Sequence, residues 1–291
     1  LYSTVDSIVV GKYIGDSALA AVGSALPIVN LFLVLFIGIS AGASIMVAQY
    51  VGAKNRESLS HTIGSSITAT AVACVILIAA VLPFLENIVI LLKTPPEIQG
   101  DCYNYLAISL IGIMGMAYYN ILSGLLRGLG DSFAALVYLL VATVINVFLD
   151  IYFVADWGLN MGVAGVALAT IIAQVISSIL CYIRLTKLKE YYDFSVKYLK
   201  PKAQFIKTLV KLGLPAGLTQ AIFSSAMIIV QSLTNQFGPE LIAANVIVMR
   251  VDGFAMMPNF TFGQTMSVFI GQNVGAGKID RVHEGTKAGL R

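Results

Sequence analysis

The sequence has little charge: Asp, Glu, Lys and Arg together make up 11% of its 291 residues. A soluble globular domain carries roughly 25% charged residues, so this composition argues against a chain folded around an aqueous surface. Cysteine is also scarce. Cys74, Cys102 and Cys181 lie in or beside apolar runs without Cys-x-x-Cys spacing, which argues against both a zinc site and a disulfide framework.

Enzyme motifs are missing as well. His61 and His283 are far apart and have no His-Glu-x-x-His spacing, so we expect both to face solvent rather than to hold a metal. No clustered nucleophile and base is visible, and no phosphate-binding loop with its lysine indicates ATP as the energy source. We therefore predict a protein that is not an enzyme, carries no cofactor and does not bind nucleic acid.

Apolar residues dominate instead, at 58% of the chain with a mean hydropathy of +0.86. Runs of about 20 apolar residues are the length of a membrane-spanning helix. The sequence thus predicts an all-α polytopic protein of the lipid bilayer, with a break near Pro83. The predicted spans cover residues 1–13, 17–51, 58–92, 97–127, 132–154, 161–184, 212–237 and 241–274, and a ninth helix opens at 280.

One short motif occurs twice. The sequence Gln49-Tyr50-Val51-Gly52-Ala53 returns as Gln272-Asn273-Val274-Gly275-Ala276, an offset of 223 residues. Self-similarity at one offset in a hydrophobic chain is typical of transporters whose halves move about a site between them. Because an even number of spans separates the copies, we expect parallel repeats related by an axis along the membrane normal.

The repeat divides the chain into three predicted parts. These are an N-terminal transmembrane lobe of helices 1 to 6 at 1–184, a linker at 185–211, and the start of a C-terminal lobe at 212–291. We expect the first helix to be cut short and the second lobe to be incomplete, so that these residues alone do not transport. Fifteen of the 18 Lys and Arg fall in alternate loops on one side, against two on the other. The positive-inside rule then places the linker in the cytoplasm and the protein in the plasma membrane.

Two carboxylates lie inside predicted spans. Asp6 is in the first helix, and Asp150 shares a helical face with Thr143 and Asn146 in the fifth. Thr170, in the sixth, adds a hydroxyl. Charges in hydrocarbon are costly, so such a cluster suggests a bound Na⁺ or an exchangeable proton. The alternative is that these groups only hydrogen-bond neighbouring helices.

The second repeat copy lacks the first carboxylate, because Asp6 corresponds by the offset to Ile229. Coupling chemistry is therefore expected in the first half of the chain. For a substrate cavity the sequence offers polar or aromatic side chains within spans, although these can equally be ordinary helix packing. The candidates are Tyr119, Asn120, Gln174 and Gln220.

Several motifs, in their order and spacing, resemble the multidrug and toxic compound extrusion (MATE) family along the whole chain. They are Val5–Gly11, Ala18–Gly23, Gln49–Ala53, Gly162–Thr170 and Leu212–Leu218. The resemblance implies twelve helices in two six-helix lobes, cytoplasmic ends, and export of organic, often cationic, drugs in exchange for H⁺ or Na⁺. We expect the protein to be a monomer. The resemblance also implies that Asp6, Asn146, Asp150 and Thr170 form the coupling site. A glutamate that some members carry on the seventh helix is missing.

Three alternatives stay open at this point. A lipid-linked oligosaccharide flippase of the same broader fold should line its cavity with several arginines, and the helices offer only Arg127 and Arg250. A membrane-embedded enzyme should show a nucleophile with its base, or metal ligands. A passive structural bundle leaves the two buried carboxylates without a role.

Overall fold

The computed structural model of the protein describes residues 2–91, 94–155, 157–234 and 239–289. Over these residues the chain forms twelve α-helices and no strand, which confirms the predicted all-α fold. The helices are α1 (Tyr2–Tyr13), α2 (Asp16–Gly52), α3 (Arg56–Val81), α4 (Leu85–Leu91), α5 (Pro96–Ile111), α6 (Ile113–Leu129), α7 (Ser132–Val154), α8 (Gly162–Lys187), α9 (Val196–Leu199), α10 (Ala203–Thr234), α11 (Pro239–Gly275) and α12 (Ile279–Gly289).

Several helices have the length and composition of membrane spans. Within the described ranges, four segments qualify individually: Asp16–Gly52, Arg56–Leu91, Ser132–Val154 and Gly162–Lys187. The bent pair α5 and α6 makes a fifth if it is one span. The chain is thus a multi-pass membrane protein, as its composition predicted.

Two spans are interrupted by residues that disturb helical geometry. Leu82–Phe84 form a short 3-10 turn between α3 and α4, at the predicted break around Pro83. The predicted fourth span, in contrast, is not one helix, because α5 and α6 meet at Gly112 with a 47° bend. A Cβ at Gly112 would overlap the side chain of Ile171, so the missing side chain lets α8 pack into the bend.

Polar residues and a glycine set the ends of several helices. Asn55 caps α3 by accepting a hydrogen bond from the Ser58 amide (3.0 Å), and Asp131 caps α7 by accepting one from the Ala134 amide (3.2 Å). Gly130 ends α6 in the left-handed conformation, with φ 93°. Asp131 also accepts a hydrogen bond from Arg184 Nε at 2.6 Å, which joins the start of α7 to the end of α8.

The segment between α8 and α10 folds back onto α3 instead of acting as a free connector. Arg56 donates to the Asp193 carboxylate at 2.8 and 3.0 Å and to the carbonyls of Lys189 and Glu190 at 2.7 Å. This contact holds the pKa of Asp193 below its ordinary value. Tyr192 is fully buried and donates to the Leu185 carbonyl at 2.8 Å.

One sequence prediction about this region was wrong. His61 does not face solvent: it is 2% exposed, and its ring stacks on that of Phe205 and meets that of Tyr198 edge to face. The helix that opens the second lobe begins at Ala203, inside the predicted linker 185–211. Phe205 and Leu209, four residues apart, bury one face of this first part of α10, while Lys207 between them stays exposed.

The duplicated motif appears as a duplicated helix. Both α2 and α11 contain 37 residues, and their bounds differ by the 223-residue offset at each end. The helices touch at their C-terminal ends, where a Cβ at Gly52 would overlap the Gln272 carbonyl and one at Gly275 would overlap the Gln49 carbonyl. Earlier residues of the two helices, Ile45 of α2 and Gln264 of α11 among them, also line one cavity. The contacts therefore advance in the same direction along both helices, as expected for parallel repeats.

Candidate functional site

The acid cluster, defined as Asp6, Asn146, Asp150 and Thr170, forms where α1, α7 and α8 pack together. Each of its four side chains is buried. Asn146 and Asp150 are one turn apart on α7, and their face of the helix turns inward, while large apolar residues on other faces of α7 are exposed to the lipid. The four predicted coupling residues therefore lie together.

Thr170 stands at the centre of the acid cluster. Its hydroxyl oxygen lies 3.3 Å from each of the two Asp6 carboxylate oxygens, to which it can donate its one hydrogen. The same oxygen accepts a hydrogen bond from Asn146 Nδ2 at 3.2 Å. Thr143, predicted on the same face, does not join them: its hydroxyl donates to the Leu139 carbonyl at 2.8 Å on its own helix.

Asp150 is the least satisfied member of the cluster. Both of its carboxylate oxygens, and also Asn146 Oδ1, are buried without a hydrogen-bond donor. The Asp150 and Asp6 carboxyl groups are close enough to interact with each other. Neither is paired with a Lys or Arg among the described side chains. Two carboxylates in contact in a low dielectric cannot both stay charged without a cation or a proton.

Tyr105 is a neighbour of the acid cluster that the sequence did not identify. It lies on α5, is 3% exposed, and interacts electrostatically with both Asp6 and Asp150. Nothing in its local sequence distinguishes it from Tyr103, the other tyrosine of this helix. Its position follows from how α5 packs against α8.

A second polar site lies between α2, α6 and α11. This inter-lobe cavity has a volume of about 330 Å³. Its lining comprises Ile37, Ser40, Ala41, Ser44, Ile45, Tyr119, Asn120, Ser123, Arg127, Gln264, Ser267 and Val268. Of the four predicted substrate residues, the structure places Tyr119 and Asn120 here.

The other two predicted substrate residues lie elsewhere. Gln174 is buried on α8 one turn after Thr170, and its amide oxygen has no donor. Gln220 is half-buried on α10. Of the two helical arginines weighed for a flippase, Arg127 lines the cavity, while the side chain of Arg250 lies outside the described residues.

The sequence matches a known family model and known proteins. The MatE family model matches residues 1–152 and 215–290. The chain is 32% identical to the Probable multidrug resistance protein YoeA of Bacillus subtilis, over 98% of this chain and 63% of that protein. It is 30% identical to the Probable multidrug resistance protein YpnP of the same organism, over 97% of this chain and 62% of YpnP.

Solved transporter structures superpose on this chain. An outward-facing multidrug resistance MATE family transporter of the MOP superfamily superposes with a TM-score of 0.89 at 25% identity, over 99% of this chain and 64% of its own. A MATE crystal structure in the bent conformation has the same fold, with a TM-score of 0.90 at 23% identity, over 100% of this chain and 64% of its own.

The chain spans a little over three fifths of the length of these relatives. Within that span the family model covers most of the residues, including both copies of the duplicated motif. The comparisons confirm the predicted family and exclude the membrane-embedded enzyme. This chain belongs to the MatE family of transporters.

Proposed function

We propose that the intact transporter exports small amphiphilic drugs or toxic compounds in exchange for H⁺ or Na⁺ that binds at the acid cluster. The observation that carries the proposal is Asp150, whose two buried oxygens have no hydrogen-bond partner and whose carboxyl group interacts with that of Asp6. The relatives named as multidrug resistance proteins support the direction and the type of cargo.

The ligand set suits either coupling ion. Two carboxylates, the Asn146 amide oxygen and the Thr170 hydroxyl offer hard oxygen ligands of the kind that alkali and alkaline-earth cations take in proteins. A proton shared between Asp6 and Asp150 would equally remove one of the two charges. In both cases the ion neutralises repulsion between α1 and α7, and its release restores that repulsion.

A purely structural role fits the cluster poorly. Polar residues that only join helices form donor–acceptor pairs across the interface. A buried acceptor without a donor instead costs about 1 to 3 kcal/mol, and more when it is charged. The Asp150 carboxylate has two such oxygens. A site that needs a bound ion accounts for the missing donors.

The binding of the ion is proposed to alternate with that of the cargo. The acid cluster lies within the first lobe, whereas the inter-lobe cavity is bounded by both α2 and α11. Helix movement in the first lobe on ion release would therefore change one wall of the cavity. We place the protein in the plasma membrane as a monomer, with the segment between α8 and α10 in the cytoplasm.

The test is dye efflux by the full-length transporter in proteoliposomes, with the pH and Na⁺ gradients imposed separately. Asp150→Asn keeps the shape of the side chain but removes its charge, and should abolish gradient-driven efflux while the protein still folds and inserts. Asp101→Asn, at an exposed position of α5, is the matched control and should efflux normally. Normal efflux by Asp150→Asn would show that this cluster only joins helices.

A further inference from the structure

Arg127 is a cation that lines the inter-lobe cavity, and none of the described lining residues is an anion. The lining contains four serines and the side-chain amides of Asn120 and Gln264, but no Asp or Glu. Arg127 donates from Nη1 to Ser123 Oγ at 3.2 Å and, at the distance limit, from Nη2 to Ser40 Oγ at 3.5 Å. A guanidinium has five N–H donors, so two hydroxyls leave much of its capacity unused.

The other two arginines described in the first lobe are paired. Arg56 contacts Asp193 at 2.8 Å and Arg184 contacts Asp131 at 2.6 Å, each with partial exposure to water. Arg127 is half-buried and has no carboxylate partner among the described side chains. Since an arginine stays charged in proteins, leaving it away from bulk water without a counter-ion is costly.

The end of the cavity next to Arg127 is closed by the contact between the repeats. Gln272 Nε2 donates to the Gly128 carbonyl at 3.2 Å, one residue from Arg127. Gly124 and Gly128 let α6 approach α2 closely, because a Cβ at either would overlap Ser40 or Ser44. The guanidinium is therefore held on a packed wall, beside the surface where the two lobes meet.

We propose that this site binds the oxyanion group, a carboxylate or a phosphate, of an amphiphilic ligand. If the proposed function holds, the transporter then favours zwitterionic or anionic cargo over purely cationic cargo. The guanidinium can hold a carboxylate through two parallel hydrogen bonds. The hydroxyl of Ser44 and the amide of Gln264 line the same cavity and can donate to the remaining lone pairs.

A structural role for Arg127 makes a different prediction. The residue is in the last turn of α6, where a positive charge stabilises the helix end. Loss of that effect would lower stability without regard to the charge of any ligand. The discriminating quantity is therefore the preference between two ligands that differ only in one carboxylate.

Rhodamine 110 and its methyl ester, rhodamine 123, are such a pair, the first with a free carboxylate and the second without. We expect the purified full-length transporter to bind rhodamine 110 at least tenfold more tightly, measured by fluorescence anisotropy at equilibrium without an ion gradient. Arg127→Gln should remove this preference, and Arg127→Lys should retain part of it. Arg184→Gln, which removes a paired arginine outside the cavity, should leave it unchanged.

A short-chain phosphatidylglycerol serves as the second arm. Displacement of rhodamine 110 by this lipid, or binding of the lipid alone in an Arg127-dependent manner, would assign the site to a headgroup phosphate. Equal affinity for both dyes, together with no Arg127-dependent lipid binding, would overturn the proposal. An equal loss of affinity for both dyes in the folded Arg127→Lys variant would also overturn it. Because no gradient is used, this result is independent of the Asp150→Asn efflux test, which alone decides the coupling proposal.

Discussion

The acid cluster and the inter-lobe cavity hold buried charge of opposite sign in different surroundings. Asp6 and Asp150 are enclosed by helices of one lobe, at 2% and 0% exposure, whereas Arg127 lies where the two lobes meet. Neither site contains a counter-ion among the described side chains. The pair formed by Arg184 and Asp131, which only joins helix ends, does contain one. Among the buried or half-buried charged side chains described in the first lobe, Arg184 and Asp131 are paired, and the unpaired ones are those to which we assign ligands.

The largest expected effect tests whether Asp6 and Asp150 form one site or act independently. We expect Asp6→Asn and Asp150→Asn each to lower gradient-driven efflux by about 100-fold, corresponding to about 3 kcal/mol for disrupting a buried charged pair. The double variant should be no worse than either single one, because both side chains serve one ion. Efflux rates in proteoliposomes measure this, and losses that multiply would mean two separate sites.

The second prediction concerns a substitution that should alter the inter-lobe cavity and not the acid cluster. Gly52→Val places a side chain against the Gln272 backbone where the repeats touch. Overpacking costs about 1 to 3 kcal/mol, so rhodamine 110 affinity should fall about tenfold. The Na⁺ or H⁺ response of the acid cluster should persist, since that cluster lies within one lobe.

Gly23→Ala is the control for this change, because nothing lies within 4 Å of a Cβ at that position of the same helix. It should leave dye affinity unchanged. Equal effects of Gly52→Val and Gly23→Ala would indicate that the contact between the repeats does not shape the cavity.

A smaller effect should follow from removing one hydroxyl of the acid cluster. Thr170→Val keeps the volume but deletes the donor shared by the two Asp6 oxygens. A buried hydrogen bond contributes about 1 kcal/mol, so ion affinity should fall about fivefold. Thr170→Ser should retain it, and Thr143→Val, whose hydroxyl serves its own helix, should have little effect. The concentration of Na⁺ or H⁺ that gives half-maximal efflux is the measurement, and an unaltered value for Thr170→Val would remove Thr170 from the site.

The smallest effect concerns a paired charge. Contact with Arg56 lowers the pKa of Asp193, so this pair stabilises the folded state above the ordinary aspartate pKa of about 3.9. That stabilisation is lost as the pH falls through the lowered value. Arg56→Gln should therefore lower the melting temperature slightly at pH 7, and this difference from the unmodified protein should shrink as the pH falls, as followed by fluorescence melting. A difference that grows toward low pH would contradict the pairing.

Local sequence features predicted much of the acid cluster. The three-and-four residue spacing of α7 placed Asn146 and Asp150 on one face, and the cost of charge in hydrocarbon singled out Asp6. Tyr105 was missed because its proximity to these acids depends on the packing of a different helix. The site thus follows from sequence only where the partners lie on one helix or carry an unusual charge.

Long-range packing also explains what the sequence missed. Arg127 was expected at the end of a predicted span, but its place on the wall of the cavity depends on how α2 and α11 pack near α6. His61 was expected in solvent because no local feature shows that Tyr198 and Phe205 return to cover it. The bend at Gly112 likewise depends on Ile171, which belongs to another helix.

The central claim is that the carboxyl groups of Asp6 and Asp150 cannot both be ionised unless a cation lies with them. Infrared difference spectroscopy of the purified full-length transporter tests it directly, because a protonated carboxyl group has its own C=O stretching band. In Na⁺-free buffer at neutral pH the account predicts this band, and predicts its loss in Asp150→Asn but not in Asp101→Asn. Absence of the band in the unmodified protein under these conditions would show two bare carboxylates in contact and would contradict the account.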